Sequence, residues 1–197
     1  MIMRRVPTIR EGVNFDLPNV VAAAHPIAEV FTCSEFRVST STVDEFDSEV
    51  SVQSTLVLLA ILAKKNLPVQ VQSDCAGVKH VGGDMFKSIP SGDAIFMKWV
   101  LTTWTNDECT AILKKCHEAL PEGGKLIACE PVVPDTTDAS TRTRALLEND
   151  IFVMTTYRTQ GRERSEEEFR QLGLTAGFAG FRALYLDPFY AVLEYVK

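Results

Sequence analysis

The stretch from Gly77 to Trp104, GVKHVGGDMFKSIPSGDAIFMKWVLTTW, constrains the fold of this chain more than any other. It reads as two buried strands about a turn. The first apolar run closes on Gly82, Gly83 and Asp84. Pro90-Ser91-Gly92-Asp93 is a turn, because Pro presets φ and Gly accepts φ > 0. Ala94 to Met97 is then a continuous apolar run, which fits a parallel strand covered on both faces, although a buried helical segment shares that pattern. A polar group follows each run, Asp84 after the first and Lys98 after the second. Open α/β sheets bind ligands at the carboxyl ends of their strands. Asp84 and Lys98 therefore stand where a cofactor would.

Longer motifs run through and beyond this stretch. HVGGDMF, GDAIFMKW and ALPEGGKLIACE follow one another, NFDLPNVV lies near the start, and GRERSEEEF near the end. Through them the chain resembles plant S-adenosylmethionine-dependent O-methyltransferases of the caffeic acid type, over about Arg5 to Ala28 and Gly77 to Lys197. The resemblance implies an α/β fold, a Rossmann-like methyltransferase sheet with helices on both faces and a C-terminal antiparallel strand pair, incomplete at the N-terminus. It divides the chain into a remnant of the methyltransferase domain (1–28), an unmatched, partly disordered insert (29–76) and the remainder of the domain (77–197). In the family a helical dimerisation domain, a first strand and a glycine-rich loop precede the first remnant, and the expectation is that this chain lacks all three. Losing a central strand would leave sheet edges exposed.

The same resemblance assigns roles. Asp16, at the end of the strand GVNFDL, is placed to bind the ribose of S-adenosyl-L-methionine. Asp84 and Met85 fall near the adenine, and Lys98 near the mouth shared by cofactor and substrate. Gly82 and Gly83 lack the spacing of a phosphate- or cofactor-binding loop and read as packing or turn residues. The family's K-W-x-x-H-D-W pattern carries a histidine base, suited by a pKa near neutrality. Here the stretch is Lys98-Trp99-Val100-Leu101-Thr102-Thr103-Trp104, so Thr102 holds the base position and Thr103 the neighbouring acid's. Glu130 and Glu163 match the glutamates that flank the base. They read as charges satisfied by arginine or solvent, or as a weak base if burial raises a pKa. His80, the nearest imidazole in sequence, reads as structural, and His25 and His117 as exposed.

Between these landmarks the chain is ordinary. Thr105, with Glu108 three residues on, starts a helix to Leu120 whose Cys109, Ile112, Leu113 and Cys116 share one face. Lys125 to Cys129 is a strand, Pro131 to Thr141 a surface loop, and Ala145 to Tyr157 an apolar helix. Ser165 caps a helix over Glu166 to Ala176, stopped at Gly177, and Phe181–Leu186 and Tyr190–Tyr195 close the sheet. Within the insert, Asp47 to Asn66 reads as a helix and Val69 to Gln72 as an edge strand. Excising 29–76 would join two family segments, so the insert reads as translated non-coding sequence or a misdrawn gene model, with a regulatory insertion as the alternative.

The net charge of −6 argues against a nucleic-acid partner. The longest apolar run, Leu56 to Ala63, is too short for a bilayer, which needs roughly 20 residues. Five cysteines without metal-binding spacing suit reduced thiols in a cytoplasmic protein. The function that follows is methyl transfer to a small phenolic or hydroxylated substrate by a truncated, impaired copy. The alternative is a non-catalytic module that dimerises with an intact paralogue.

Overall fold

The structure is a computed structural model that describes residue 9 and residues 11–23, 57–62 and 78–197. The expected edge strand at 69–72, His25 and most of 29–76 lie outside the described residues. The chain runs β1 (Glu11–Asp16), α1 (Pro18–Ala23), β2 (Val57–Leu62), β3 (Val78–Gly82) and β4 (Ala94–Lys98). It continues through a single 3-10 turn (Leu101–Thr103), α2 (Asn106–Ala119), β5 (Lys125–Val133) and α3 (Thr141–Thr156). β6 (Arg164–Ser165), α4 (Glu166–Ala176), β7 (Gly180–Tyr185) and β8 (Tyr190–Val196) complete it.

These strands form one mixed sheet in the order β3-β1-β2-β4-β5-β8-β7, with β6 beside β5. β1 is parallel to β3, and β4 to β5. β8 is antiparallel to both β5 and β7, as the closing strand pair was expected to be.

The sheet departs from the sequence reading at β2. Residues 57–62, expected inside a helix, are extended and lie antiparallel between β1 and β4. VLLAIL is a short unbroken apolar run, and such a run suits a strand as well as a buried helix turn. Here two flanking strands supply the hydrogen bonds that decide it. The position that a missing first strand was expected to leave open is thus filled. Register pairs Val57 with Lys98 and Leu62 with Glu11, so the chain enters β2 at the end of the sheet where β1 and β4 finish.

The right half of the sheet carries the core. Ala191, Leu193 and Tyr195 alternate with half-buried neighbours along β8, and all three are fully buried. α2 and α4 cover that face with Ile112, Leu113, Cys116, Phe169 and Leu172. Both helices begin as their sequences dictate. The Thr105 hydroxyl accepts from Glu108 N–H while the Glu108 carboxylate accepts from Thr105 N–H, and Ser165 and Glu168 repeat the arrangement. α4 ends at Gly177 with φ 105°, a conformation that excludes side chains with a Cβ at little strain. Pro131 does not end β5, which runs on to Val133 because β6 pairs there with Val132 and Val133. His117, expected to be exposed, is half-buried edge-on to the Phe178 ring at 5.2 Å.

Candidate active site

Two clusters form at the carboxyl ends of the strands. The first lies where β1 and β3 finish together. Gly83 N–H donates to the Asp16 carbonyl at 2.8 Å, which ties the two strand ends. A Cβ on Gly83 would fall on the Phe15 ring, and one on Gly82 would sit 2.9 Å from Pro18 Cα. Both glycines are therefore there for close packing. The cleft beside them has a volume of about 100 Å³ and is lined by Phe15, Asp16, Asp84, Met85, Phe86 and Trp104. Asp16 Oδ1 accepts from Leu17 N–H at 2.7 Å, and Asp84 Oδ1 from Phe86 N–H at 3.0 Å. Each turn uses one acceptor site of a carboxylate that has about four. Burial raises the Asp16 pKa despite the bond from Leu17 N–H, which lowers it. The Trp104 indole N–H is buried with no hydrogen-bond partner among the described residues.

The second cluster contains Thr102, Glu130 and Glu163. Exposure of the three is 1%, 0% and 3%. Glu130 Oε1 accepts from Val100 N–H at 2.9 Å and Leu101 N–H at 3.1 Å. Its Oε2 lies 2.9 Å from the Thr102 hydroxyl, and Glu163 Oε2 lies 3.4 Å from that same oxygen. The Asn149 amide donates to Glu163 Oε1, and Glu163 N–H donates to Asp150 Oδ1 at 2.6 Å. Burial, then the neighbouring Glu130 charge, pushes the Glu163 pKa up to about 8. Burial raises Glu130 as well, against the hydrogen bonds from Leu101, Thr102 and Val100 that lower it. The expectation that arginine or solvent satisfies these two acids is therefore corrected: backbone amides, a threonine and an asparagine do so. They can, because the turn after β4 folds directly over Glu130.

Arg164 shows why the arginines are occupied elsewhere. It is fully buried, and its guanidinium donates to the carbonyls of Leu101 at 2.7 Å and Trp104 at 2.6 Å and to Asn106 Oδ1 at 3.0 Å. It holds the loop that carries Thr102. Trp99 in that loop has φ 56°, an uncommon conformation for a bulky residue. Trp99 N–H donates to the Cys129 carbonyl at 3.1 Å, and Glu130 fixes the two residues that follow.

The expected site residues thus separate. Asp16, Asp84 and Met85 share the cleft, and Thr102, Glu130 and Glu163 share the buried cluster. Lys98 belongs to neither; its ammonium lies 5.2 Å from the centre of the Tyr190 ring. His80 is exposed on β3 and hydrogen-bonds Asn14 at 3.0 Å. Sequence reasoning passed over Asn149, Asp150, Arg164 and the strained Trp99. The pair Asn149-Asp150 inside the otherwise apolar stretch ALLENDIFVM was the available signal, since buried polar groups seek partners.

Comparison with known proteins gives one consistent family. The sequence profile of the O-methyltransferase domain matches residues 59–179. Nicotinate N-methyltransferase 1 of Oryza sativa subsp. japonica is 66% identical over 197 residues, covering 100% of this chain and 41% of the relative. Caffeic acid 3-O-methyltransferase of Zea mays is 46% identical over 121 residues, 61% of this chain and 33% of the relative. The chain thus spans under half the length of the curated relatives it matches. Among solved structures, human N-acetylserotonin methyltransferase in complex with SAM superimposes with a TM-score of 0.66 at 17% identity, over 99% of this chain and 42% of that one. At that identity the likeness is one of fold.

Proposed function

The chain belongs to the O-methyltransferase domain family, and on that footing we propose that it is part of an S-adenosylmethionine-dependent methyltransferase whose acceptor is a ring nitrogen of a small heteroaromatic acid such as nicotinate. When bound, S-adenosylmethionine supplies an electrophilic methyl group. The cleft has room for part of its nucleoside half. Asp16 and Asp84 offer carboxylate oxygens for a diol and an amino group, and Met85 and Phe86 offer an apolar wall for a purine. The described residues provide no glycine-rich turn for the amino-acid half, because β2 enters the sheet at that end rather than leaving it.

The observation that carries the acceptor class is Thr102, buried between two glutamates at the base position. A threonine hydroxyl has no useful basicity at neutral pH, and general-base help is typically worth about 10²–10⁴ in rate. A phenol must lose a proton as its oxygen is methylated. A pyridine-type nitrogen has a free lone pair and no proton to lose, so it needs no base. The rice relative's name points the same way.

The test compares methyl transfer to nicotinate and to caffeate by the purified protein. Nicotinate is expected to be preferred by 100-fold or more in kcat/KM, and Thr102→His is expected to raise the caffeate rate. Equal rates on the two acceptors would reject the reading. The same threonine supports a second reading, an impaired phenol methyltransferase that pairs with another methyltransferase chain. Transfer to neither acceptor would favour it.

A further inference from the structure

We propose that the hydrogen-bonded chain Glu163–Thr102–Glu130 carries one proton in the resting protein, held on Glu163, and that this resident proton closes the site to acceptors that must release one. The second half rests on the function proposed above; the first half stands on the geometry alone.

A threonine hydroxyl has one hydrogen to give. Its oxygen lies 2.9 Å from Glu130 Oε2 and 3.4 Å from Glu163 Oε2. Given to Glu130, the hydrogen leaves the Glu163 oxygen facing hydroxyl lone pairs with a second carboxylate beyond them. A proton on Glu163 resolves this, since its O–H then donates to the Thr102 oxygen.

Donor counts fix which acid keeps the charge. Hydrogen bonds to the ionised form favour that form. The Glu130 side chain receives two backbone N–H groups and the threonine O–H, whereas the Glu163 side chain receives the Asn149 amide. Glu130 is therefore the anion.

The surroundings agree. Asp150, on α3, brings a further negative charge against the Glu163 backbone. Cys109 on α2, Cys129 on β5, and Tyr190 and Tyr195 on β8 are each raised by burial and stay neutral at pH 7. The Arg162 guanidinium pairs with Glu168 at 2.6 Å. The buried Arg164 balances one negative charge, not two, while its donors go to the Leu101, Arg162 and Trp104 carbonyls and to Asn106. A second uncompensated buried charge would cost several kcal/mol. Burial raises both acids, so the donor count is what assigns the proton to Glu163.

The consequence concerns the acceptor. When a hydroxyl oxygen is methylated, its O–H bond breaks and the proton needs a home. Three donors favour the ionised form of Glu130, and Glu163 is already protonated, so neither is placed to take it. When a ring nitrogen is methylated, the N–C bond forms from its lone pair as the C–S bond breaks. The sulfur keeps that bonding pair, the positive charge moves to nitrogen, and no proton moves.

Infrared spectroscopy tests the proton directly, without cofactor or substrate. At pH 7 the protein should show the C=O band of a buried protonated carboxyl. It should shift on ¹³C-glutamate labelling, vanish as pH rises through about 8, and be missing in Glu163→Gln. Thermal denaturation gives a second readout. A carboxyl with a raised folded-state pKa favours folding at low pH, so the melting temperature should fall between pH 5 and 9 in the native protein and fall less steeply in Glu163→Gln, where the other raised carboxyls remain. A missing band at pH 7, or one that survives Glu163→Gln, overturns the proposal; if that variant does not fold, the labelled native band and its pH midpoint still decide. If the band behaves as expected and nicotinate is not methylated, the proton assignment holds and the proposed function fails. If nicotinate is methylated and the band is absent, the resident proton alone fails.

Discussion

Asp16 and Asp84 keep partial contact with solvent at the ends of β1 and β3, while Glu130 and Glu163, at the same end of the sheet, have almost none. The difference lies in what receives each acid. Asp16 and Asp84 each spend one oxygen on their own turn, and the second Asp84 oxygen lies 3.4 Å from the exposed Lys87 ammonium. Glu130 is spent on the protein: it holds three consecutive residues of the turn after β4. The half-buried pair thus keeps acceptor sites within reach of solvent, whereas the buried pair is committed to the loop after β4.

Substitutions can break that contrast, and the largest effect is expected at Glu130. Glu130→Ala strands the N–H groups of Val100 and Leu101 in a sealed interior, at about 1–3 kcal/mol each. Urea denaturation should show a loss of roughly 3–5 kcal/mol. Asp16→Ala should stay within about 0.5 kcal/mol of the native protein, as surface changes usually do. Similar losses at the two positions would dissolve the distinction between the two pairs.

A smaller effect is expected at Gly83. Its new Cβ would fall on the Phe15 ring, and overpacking of this kind costs typically about 1–3 kcal/mol. Because Phe15 and Gly83 both line the cleft, Gly83→Ala should also weaken binding of S-adenosylhomocysteine in a calorimetric titration. Unchanged binding would mean that the cleft is not the nucleoside site.

Asp16→Asn sharpens the comparison further, because it keeps the shape and removes the charge. The expected outcome is about a tenfold loss of S-adenosylhomocysteine affinity, near 1.4 kcal/mol, with no shift in the denaturation midpoint. A shifted midpoint with intact affinity would make Asp16 a structural residue like Glu130. The smallest effect belongs to a change that touches neither pair. Ser165→Ala removes a helix cap and should cost about 1 kcal/mol while leaving binding and the protonated-carboxyl band unaltered.

Much of the fold could be read in advance wherever the chemistry is local. The boxes at Thr105 and Ser165 put both helix starts in place, because a cap and its partner lie three residues apart. Gly177 stopped α4 for an equally local reason. The mistaken elements depended on distant partners. Residues 57–62 became a strand because β1 and β4 flank them, and β5 outran Pro131 because β6 meets its end. Glu130 and Glu163 were recognisable as site residues by their motifs, but their partners were not, since Asn149 and the amides of Val100 and Leu101 reach them through folding rather than through spacing.

By itself the sequence determined the family, the starts of α2 and α4, the closing strand pair and the threonine that stands at the base position, but it began α3 at Ala145 where Ser140 caps it at Thr141. These are properties of short segments, governed by capping, turn chemistry and pattern. Only the tertiary structure decided that β2 fills the centre of the sheet, that Trp99 takes a left-handed backbone, and that two glutamates share a single hydroxyl. Burial and the geometry of distant groups control those outcomes, because a carboxyl's protonation answers to the donors and charges that surround it rather than to its neighbours along the chain.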